Sequence, residues 1–362
     1  MPTLLVQTRP RSYPAVVASG ALGCLKQHLP PGAGKVFVIT TADVWRLHGA
    51  RVEAALAGRA FDVLLFAGGE ERKRLSELEA LAEQMVARGG DRTSVLVAFG
   101  GGIVNDLGGF LAATFMRGIP VIQAPTTLLA QVDAGIGGKT GVNLASGKNL
   151  LGAFHQPLAV LIDPDVLGTL PEREYRAGLY EVLKTGVIRS AELFGLMLEE
   201  RERILGLDPA IVTEIIARSV AIKAEVVSAD ERESDLRRIL NFGHTLGHAL
   251  EAETAYARLL HGEAVAFGMR AATHLAHMAG YLNAADRDLI LRAIALYGPI
   301  PPLEGVEAPN LVARLGRDKK TIQGKVHFVL PVAIGAVKVV SGLEEGLILE
   351  ATRTALAELA TP

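Results

Sequence analysis

Ser94-Val95-Leu96-Val97-Ala98-Phe99-Gly100-Gly101-Gly102-Ile103-Val104-Asn105-Asp106 reads as a buried strand that empties into three glycines before a helix begins. Glycines at that junction leave backbone amides with no Cβ in the way, so a diphosphate could approach closely at the helix start. A tight strand-to-helix turn is the competing reading, and the GxGxxG dinucleotide fingerprint is absent. Working outward, residues 35–40, 62–66, 120–124 and 159–163 repeat the strand pattern, with helical intervals near 43–57 and 74–88. Such alternation predicts an open, mainly parallel α/β sheet with ligands at the carboxyl ends of its strands. Gly68-Gly69-Glu70-Glu71 is a second loop on that edge, where Glu70 could accept from ribose hydroxyls or simply close a turn.

The pattern changes after Asp165. Helical periodicities run near 171–204, 209–228, 236–254, 262–280 and 284–297, and a hairpin is expected from 326–331 and 336–340. The expected organisation is therefore an α/β domain over 1–165 and a helical domain over 166–362. A chain of 362 residues with net charge −2 has no general pull toward nucleic acid or acidic membranes, so anion binding must come from local cations. The single cysteine, Cys24, rules out an internal disulfide framework and fits a reducing compartment. The first residues lack the basic and long apolar regions of a signal peptide. The longest apolar span, near 95–116, is broken by glycines, Asn105 and Asp106, which argues against a membrane helix.

Three constellations could carry chemistry. Thr126-Thr127, Asp133, Gly135 through Asn143 with Lys139, and Gly147-Lys148-Asn149 embed two lysines in glycine-rich sequence that could fold around an anion; a flexible surface loop is the competing reading. On a helix that is apolar almost all round, Glu181 and Lys184 share a face, so both charges are expected to be buried. Lastly, on a helix running through Asn241-Phe242-Gly243-His244-Thr245-Leu246-Gly247-His248, residues Arg237, Asn241, His244 and His248 share an arc of roughly 60°. Glu181 paired with Lys184 is an ordinary ion pair when taken alone. Together with His244 and His261, at a helix start, it becomes a zinc-type donor set of one Glu and two His, with positions open for substrate. Lys223, Arg237, Lys319 and Lys320 are further cations, each a surface charge by default.

These segments resemble the 3-dehydroquinate synthase family. The resemblance runs through residues 100–106, 115–118, 125–133, 137–143, 147–149, 181–184, 241–248, 261–265 and 317–320. It implies a Rossmann-like N-terminal domain that binds NAD, an all-helical C-terminal domain for metal and substrate, an active site between them, a homodimer and a cytoplasmic lyase of the shikimate pathway. It implies Zn2+, with Co2+ able to replace it, held by Glu181, His244 and His261. Asp133, Lys139, Asn149, Lys184, Lys223, Arg237, Asn241 and His248 would contact a sugar-acid phosphate substrate. Arg117 would reach the neighbouring subunit's phosphate pocket. Glu70, Lys73, Gly101, Gly102, Asp106, Thr126, Thr127, Lys139 and Lys148 would line the cofactor side. One departure is Thr41, where the family commonly has an Asp at the adenosine end; Asp43 lies two positions on. Rival activities are a sedoheptulose 7-phosphate cyclase, a metal-dependent polyol dehydrogenase and a non-catalytic anion-binding protein.

Overall fold

Strands β1 (Thr3–Gln7), β2 (Ser12–Val17), β3 (Val36–Thr40), β4 (Phe61–Leu65), β5 (Val95–Gly100), β6 (Val121–Pro125), β7 (Lys139–Leu144), β8 (Gly147–Phe154) and β9 (Ala159–Ile162) lie in the first part of the chain. This structure, a computed structural model, describes residues 3–9, 11–315 and 326–360. The resemblance over 317–320, with Lys319 and Lys320, falls outside the described residues.

Seven of these strands form one sheet in the order β1-β2-β9-β6-β5-β3-β4, parallel except for the antiparallel β1–β2 pair. Helices α1 (Ala42–Ala55), α2 (Leu75–Ala87) and α3 (Gly102–Thr114) alternate with the strands. The central strands are buried on both faces. In β3 and β5, Phe37, Ile39, Leu96 and Ala98 enter one apolar cluster, while Val36, Val38, Val97 and Phe99 enter the other. A strand flanked by helices on both sides needs this continuous apolar run. Strand order reverses between β3 and β5, and open α/β sheets bind ligands outside the carboxyl ends at such a point.

The remaining helices are α4 (Glu172–Arg189), α5 (Ala191–Glu199), α6 (Arg201–Leu205), α7 (Pro209–Ala229), α8 (His244–Glu253), α9 (His261–Met278), α10 (Ala284–Leu296), α11 (Ala308–Leu315) and α12 (Glu345–Ala360), with a hairpin of β10 (His327–Ala333) and β11 (Ala336–Ser341). Two compact units emerge: Met1–Pro171 with Pro209–Arg232, and Glu172–Asp208 with Glu233–Pro362. Helix α7 belongs to the first, because it lies along β1, where Ser228 Oγ accepts from the Gln7 amide at 2.9 Å. Among the described residues no helix is long and apolar enough to cross a membrane.

Several expectations need correction. The periodicity over 171–204 is three helices, since Ser190 stops the first and caps the next through the Leu193 amide. The periodicity over 236–254 is a 3-10 turn, Leu236–Asn241, then α8. The break falls at Gly243, in the left-handed region at φ 79°, where a Cβ would meet Val265 O at 2.7 Å. Arg237 and Asn241 therefore do not share the stripe of His244 and His248. The glycine-rich lysine segment is the hairpin β7–β8, whose glycines serve close cross-strand packing; a Cβ on Gly152 would sit 2.0 Å from Thr140 O.

Candidate active site

Helices α4, α8 and α9 meet through their main chains. A Cβ on Gly262 would lie 2.0 Å from Ala177 O, so α9 begins in direct contact with α4 one turn before Glu181. A Cβ on Gly268 would lie 1.8 Å from Gly243 O, so α9 also touches the start of α8 backbone to backbone. These approaches bring His244 and His261, each the first residue of its helix, to the same carboxylate oxygen. His244 Nε2 and His261 Nε2 each lie 4.0 Å from Glu181 Oε1. His248, one turn along α8, completes a histidine triangle in which the ligand atoms lie within 4.8 Å of one another.

The far sides of the His244 and His261 rings are held. His244 Nδ1 lies 3.1 Å from Phe242 O, and His261 Nδ1 lies 3.4 Å from Glu251 Oε1. A donor at Nδ1 leaves the lone pair on Nε2, facing Glu181. Glu181 is 1% exposed and its Oε2 rests against the Lys184 ammonium, while Oε1 accepts no hydrogen bond. A buried carboxylate oxygen without a donor calls for a cation. Two ligands each about 2.1 Å from a tetrahedral zinc ion stand about 3.4 Å apart, so the 4.0 Å separations would close onto a shared ion with a shift of about 0.6 Å. One carboxylate and two or three imidazoles suit zinc or cobalt.

The first unit gathers a different set at the carboxyl edge of its sheet. Helix α3 begins without a side-chain cap, leaving its first amides available to an anion, and the Thr126 amide donates to Gly100 O at 2.9 Å. Gly100 also has a packing reason, since a Cβ there would lie 2.7 Å from Val104 Cβ. Thr127 Oγ1 accepts from the Ala130 amide at 3.3 Å. Lys73, 2% exposed, lies 2.5 Å from Asp106 Oδ2 and donates to Asn149 Oδ1 at 2.6 Å. Burial pushes the Asp106 carboxyl up, against the opposing pull of that ammonium. Asn143 donates to Glu70 Oε1 at 2.7 Å and accepts from the Asn149 amide at 2.8 Å. Lys73 is thus an internal tie between β8, α3 and the loop after β4. Thr41 caps α1 through the Val44 amide, which gives it a structural task of its own, and Asp43 is exposed beside Arg46.

The other predicted residues fall as follows. Lys223 on α7 pairs with Asp133, Nζ to Oδ1 at 2.6 Å. Asn241 donates to Glu233 Oε1 at 2.6 Å in the second unit, where Arg237 is 2% exposed. Lys139 is exposed at the start of β7 and Lys148 is half-buried in β8. Arg117 is exposed in a turn with positive φ at Met116, Arg117 and Gly118.

A family model described as 3-dehydroquinate synthase N-terminal matches residues 63–177, and one described as 3-dehydroquinate synthase C-terminal matches residues 178–321. The 3-dehydroquinate synthase of Solibacter usitatus is 65% identical over 357 residues, covering 99% of this chain and 100% of that protein. The chain belongs to the 3-dehydroquinate synthase family. Among solved structures, 2-epi-5-epi-valiolone synthase from Streptomyces hygroscopicus, with NAD+ and Zn2+ bound, is 32% identical with a TM-score of 0.89, covering 97% of this chain and 98% of its own. A 2-deoxy-scyllo-inosose synthase complexed with carbaglucose-6-phosphate, NAD+ and Co2+ is 26% identical with a TM-score of 0.88, covering 98% and 99%.

Within this dehydroquinate synthase-like fold, sequence reasoning missed three carboxylates near the site. Glu251 contacts His261, and Glu233 pairs with Asn241. Glu263 accepts from the Leu260 amide at 2.8 Å and from Arg173 Nε at 2.7 Å, fixing the turn that presents His261. For Glu251 a signal existed: an acid in the last turn of a helix opposes the helix dipole and needs a reason.

Proposed function

We propose that the chain is a 3-dehydroquinate synthase. It converts 3-deoxy-D-arabino-heptulosonate 7-phosphate to 3-dehydroquinate and phosphate by transient oxidation, phosphate elimination, reduction and intramolecular aldol closure. The observation that carries this reading, beside family membership, is the single oxygen, Glu181 Oε1, 4.0 Å from the Nε2 atoms of both His244 and His261. Glu181, His244 and His261 would hold the divalent ion, which when bound polarises neighbouring substrate hydroxyls as a Lewis acid. NAD+ would be held by Gly101, Gly102, Asp106, Thr126, Thr127 and Lys148, with Glu70 and Lys73 toward the adenosine end; when bound it takes a hydride from the substrate and returns it, leaving no net redox change.

The chain's own groups supply binding and proton handling. Lys139, Asn149, Arg237, Asn241 and His248 are assigned to the phosphate, where cationic and amide donors meet its charge. Lys223 and Lys184 present ammonium groups already paired with Asp133 and Glu181, so each is held in place before substrate arrives. Such preorganised donors stabilise developing negative charge without reorganising during the reaction. His248, half-buried beside the other two imidazoles, is assigned to proton transfer toward the departing phosphate. A homodimer belongs to the same proposal, with the exposed Arg117 acting on the partner, as does a cytoplasmic setting, which the lone Cys24 supports.

The test feeds the heptulosonate phosphate to the purified protein and follows phosphate release beside absorbance of NADH. Phosphate without accumulated NADH is the expected outcome. Stoichiometric NADH assigns a polyol dehydrogenase instead, and turnover of sedoheptulose 7-phosphate alone assigns the related cyclase. His261→Ala should abolish both metal binding and turnover with the fold intact; unchanged zinc content removes His261 from the ligand set.

A further inference from the structure

Glu251 is 3% exposed and lies in the last turn of α8, where a carboxylate faces the negative end of the helix dipole. A buried polar side chain near a functional site is expected to be hydrogen-bonded. One contact it makes is with the imidazole of His261, whose Nδ1 lies 3.4 Å from Glu251 Oε1. His261 is also the first residue of α9.

We propose that Glu251 is a positioning residue that orients His261 for the divalent ion, an inference that rests on the metal reading of Glu181, His244 and His261. The two imidazoles are supported differently. His244 Nδ1 faces the Phe242 carbonyl, a backbone group whose direction follows from the turn at Gly243. His261 Nδ1 faces a side chain, and its ring is the more exposed of the two, at 32% against 11% for the side chains. An imidazole at a helix start with an open flank has more than one rotamer available, and a carboxylate on Nδ1 selects the one that turns Nε2 to Glu181. It also fixes the Nδ1–H tautomer.

The experiment compares the full chain with Glu251→Gln and Glu251→Ala, each stripped of metal. Zinc affinity is read by competition with a chromophoric chelator, ligand geometry by the visible spectrum of the Co2+ form, and folding by thermal unfolding of the metal-free proteins. The expected result is zinc affinity about 10–100-fold weaker in Glu251→Ala with an altered cobalt spectrum. Glu251→Gln should keep the metal-free melting temperature, and either a partial loss of affinity or full retention supports the proposal, since an amide oxygen still accepts from Nδ1. Unchanged affinity and spectrum in both variants overturn it. A lower metal-free melting temperature with unchanged affinity likewise overturns it, by assigning Glu251 to packing. If the parent chain itself binds no ion, the metal reading fails and the inference falls with it.

Discussion

Gly262→Ala should dismantle the metal centre while leaving the protein folded. The new Cβ would lie 2.0 Å from Ala177 O and 2.6 Å from Ala177 C, and real Cβ atoms do not come closer than 3.0 Å. Both neighbours are backbone, so no side chain can swing aside; the start of α9 and α4 must part by roughly 1 Å. His261 Nε2 now stands 4.0 Å from Glu181 Oε1, about 0.6 Å wider than two ligands of a tetrahedral zinc ion. Parting along that line widens a gap that must close for the ion to be held. Overpacking of this kind costs about 1–3 kcal/mol, offset by up to about 1 kcal/mol from the better helix propensity of alanine. The expected protein therefore melts cooperatively at a somewhat lower temperature, retains less than a tenth of the parent's zinc after dialysis and releases phosphate at background rates. Stoichiometric zinc with parent-like turnover would refute the argument that backbone contact between α9 and α4 sets the ligand distance.

Removing metal with a chelator should abolish turnover, and added Zn2+ or Co2+ should restore it; zinc at a thousand times its Kd should raise stability by about 4 kcal/mol, and a melting temperature indifferent to zinc counts against a bound ion. Lys73→Met should lower stability by about 3 kcal/mol in urea unfolding, because it strands Asp106 beside Asn149 without its cation; a loss under 1 kcal/mol would show that Asp106, whose side chain is 21% exposed, is well solvated. Burial pushes the Glu358 carboxyl up, but hydrogen bonds and charge from His274 and Arg270 outweigh it and hold it below the usual carboxylate range. Its contribution is complete above the unfolded value of 4.5 and is lost as pH falls through the folded one, so Glu358→Gln should flatten the acid limb of the urea midpoint; an unchanged limb assigns the acid sensitivity elsewhere.

The strands at 35–40, 62–66, 94–99, 120–124 and 159–163 were legible because central strands of a covered sheet carry unbroken apolar runs, and the structure places each within a residue or so. β1 and β2 were not, since β1 is an edge strand with exposed positions and no such run. Periodicity also failed where a helix stops for backbone reasons. Gly243 ends the 3-10 turn through positive φ and contact with Val265 O, neither of which leaves a mark in hydrophobic spacing. The proposed ligands Glu181, His244 and His261 stood out as polar side chains amid apolar sequence, whereas Glu251 and Glu233 matter through contacts with other segments, His261 at the start of α9 and Asn241 in the 3-10 turn. Contacts between distant helices are likewise unmarked in the spacing: Glu358 Oε1 lies 2.9 Å from His274 Nε2, 84 residues further along the chain.

Main-chain atoms touching main-chain atoms at Gly262 and Gly268 have a consequence for how this protein can vary. Apolar side chains around α4, α8 and α9 can be exchanged for others of similar volume without changing the spacing of the three helices at the carboxylate, because peptide groups and not methyl groups set that spacing. The cage is insulated from drift in the surrounding core and exposed to change at only a few positions, each occupied by the one residue that has no side chain.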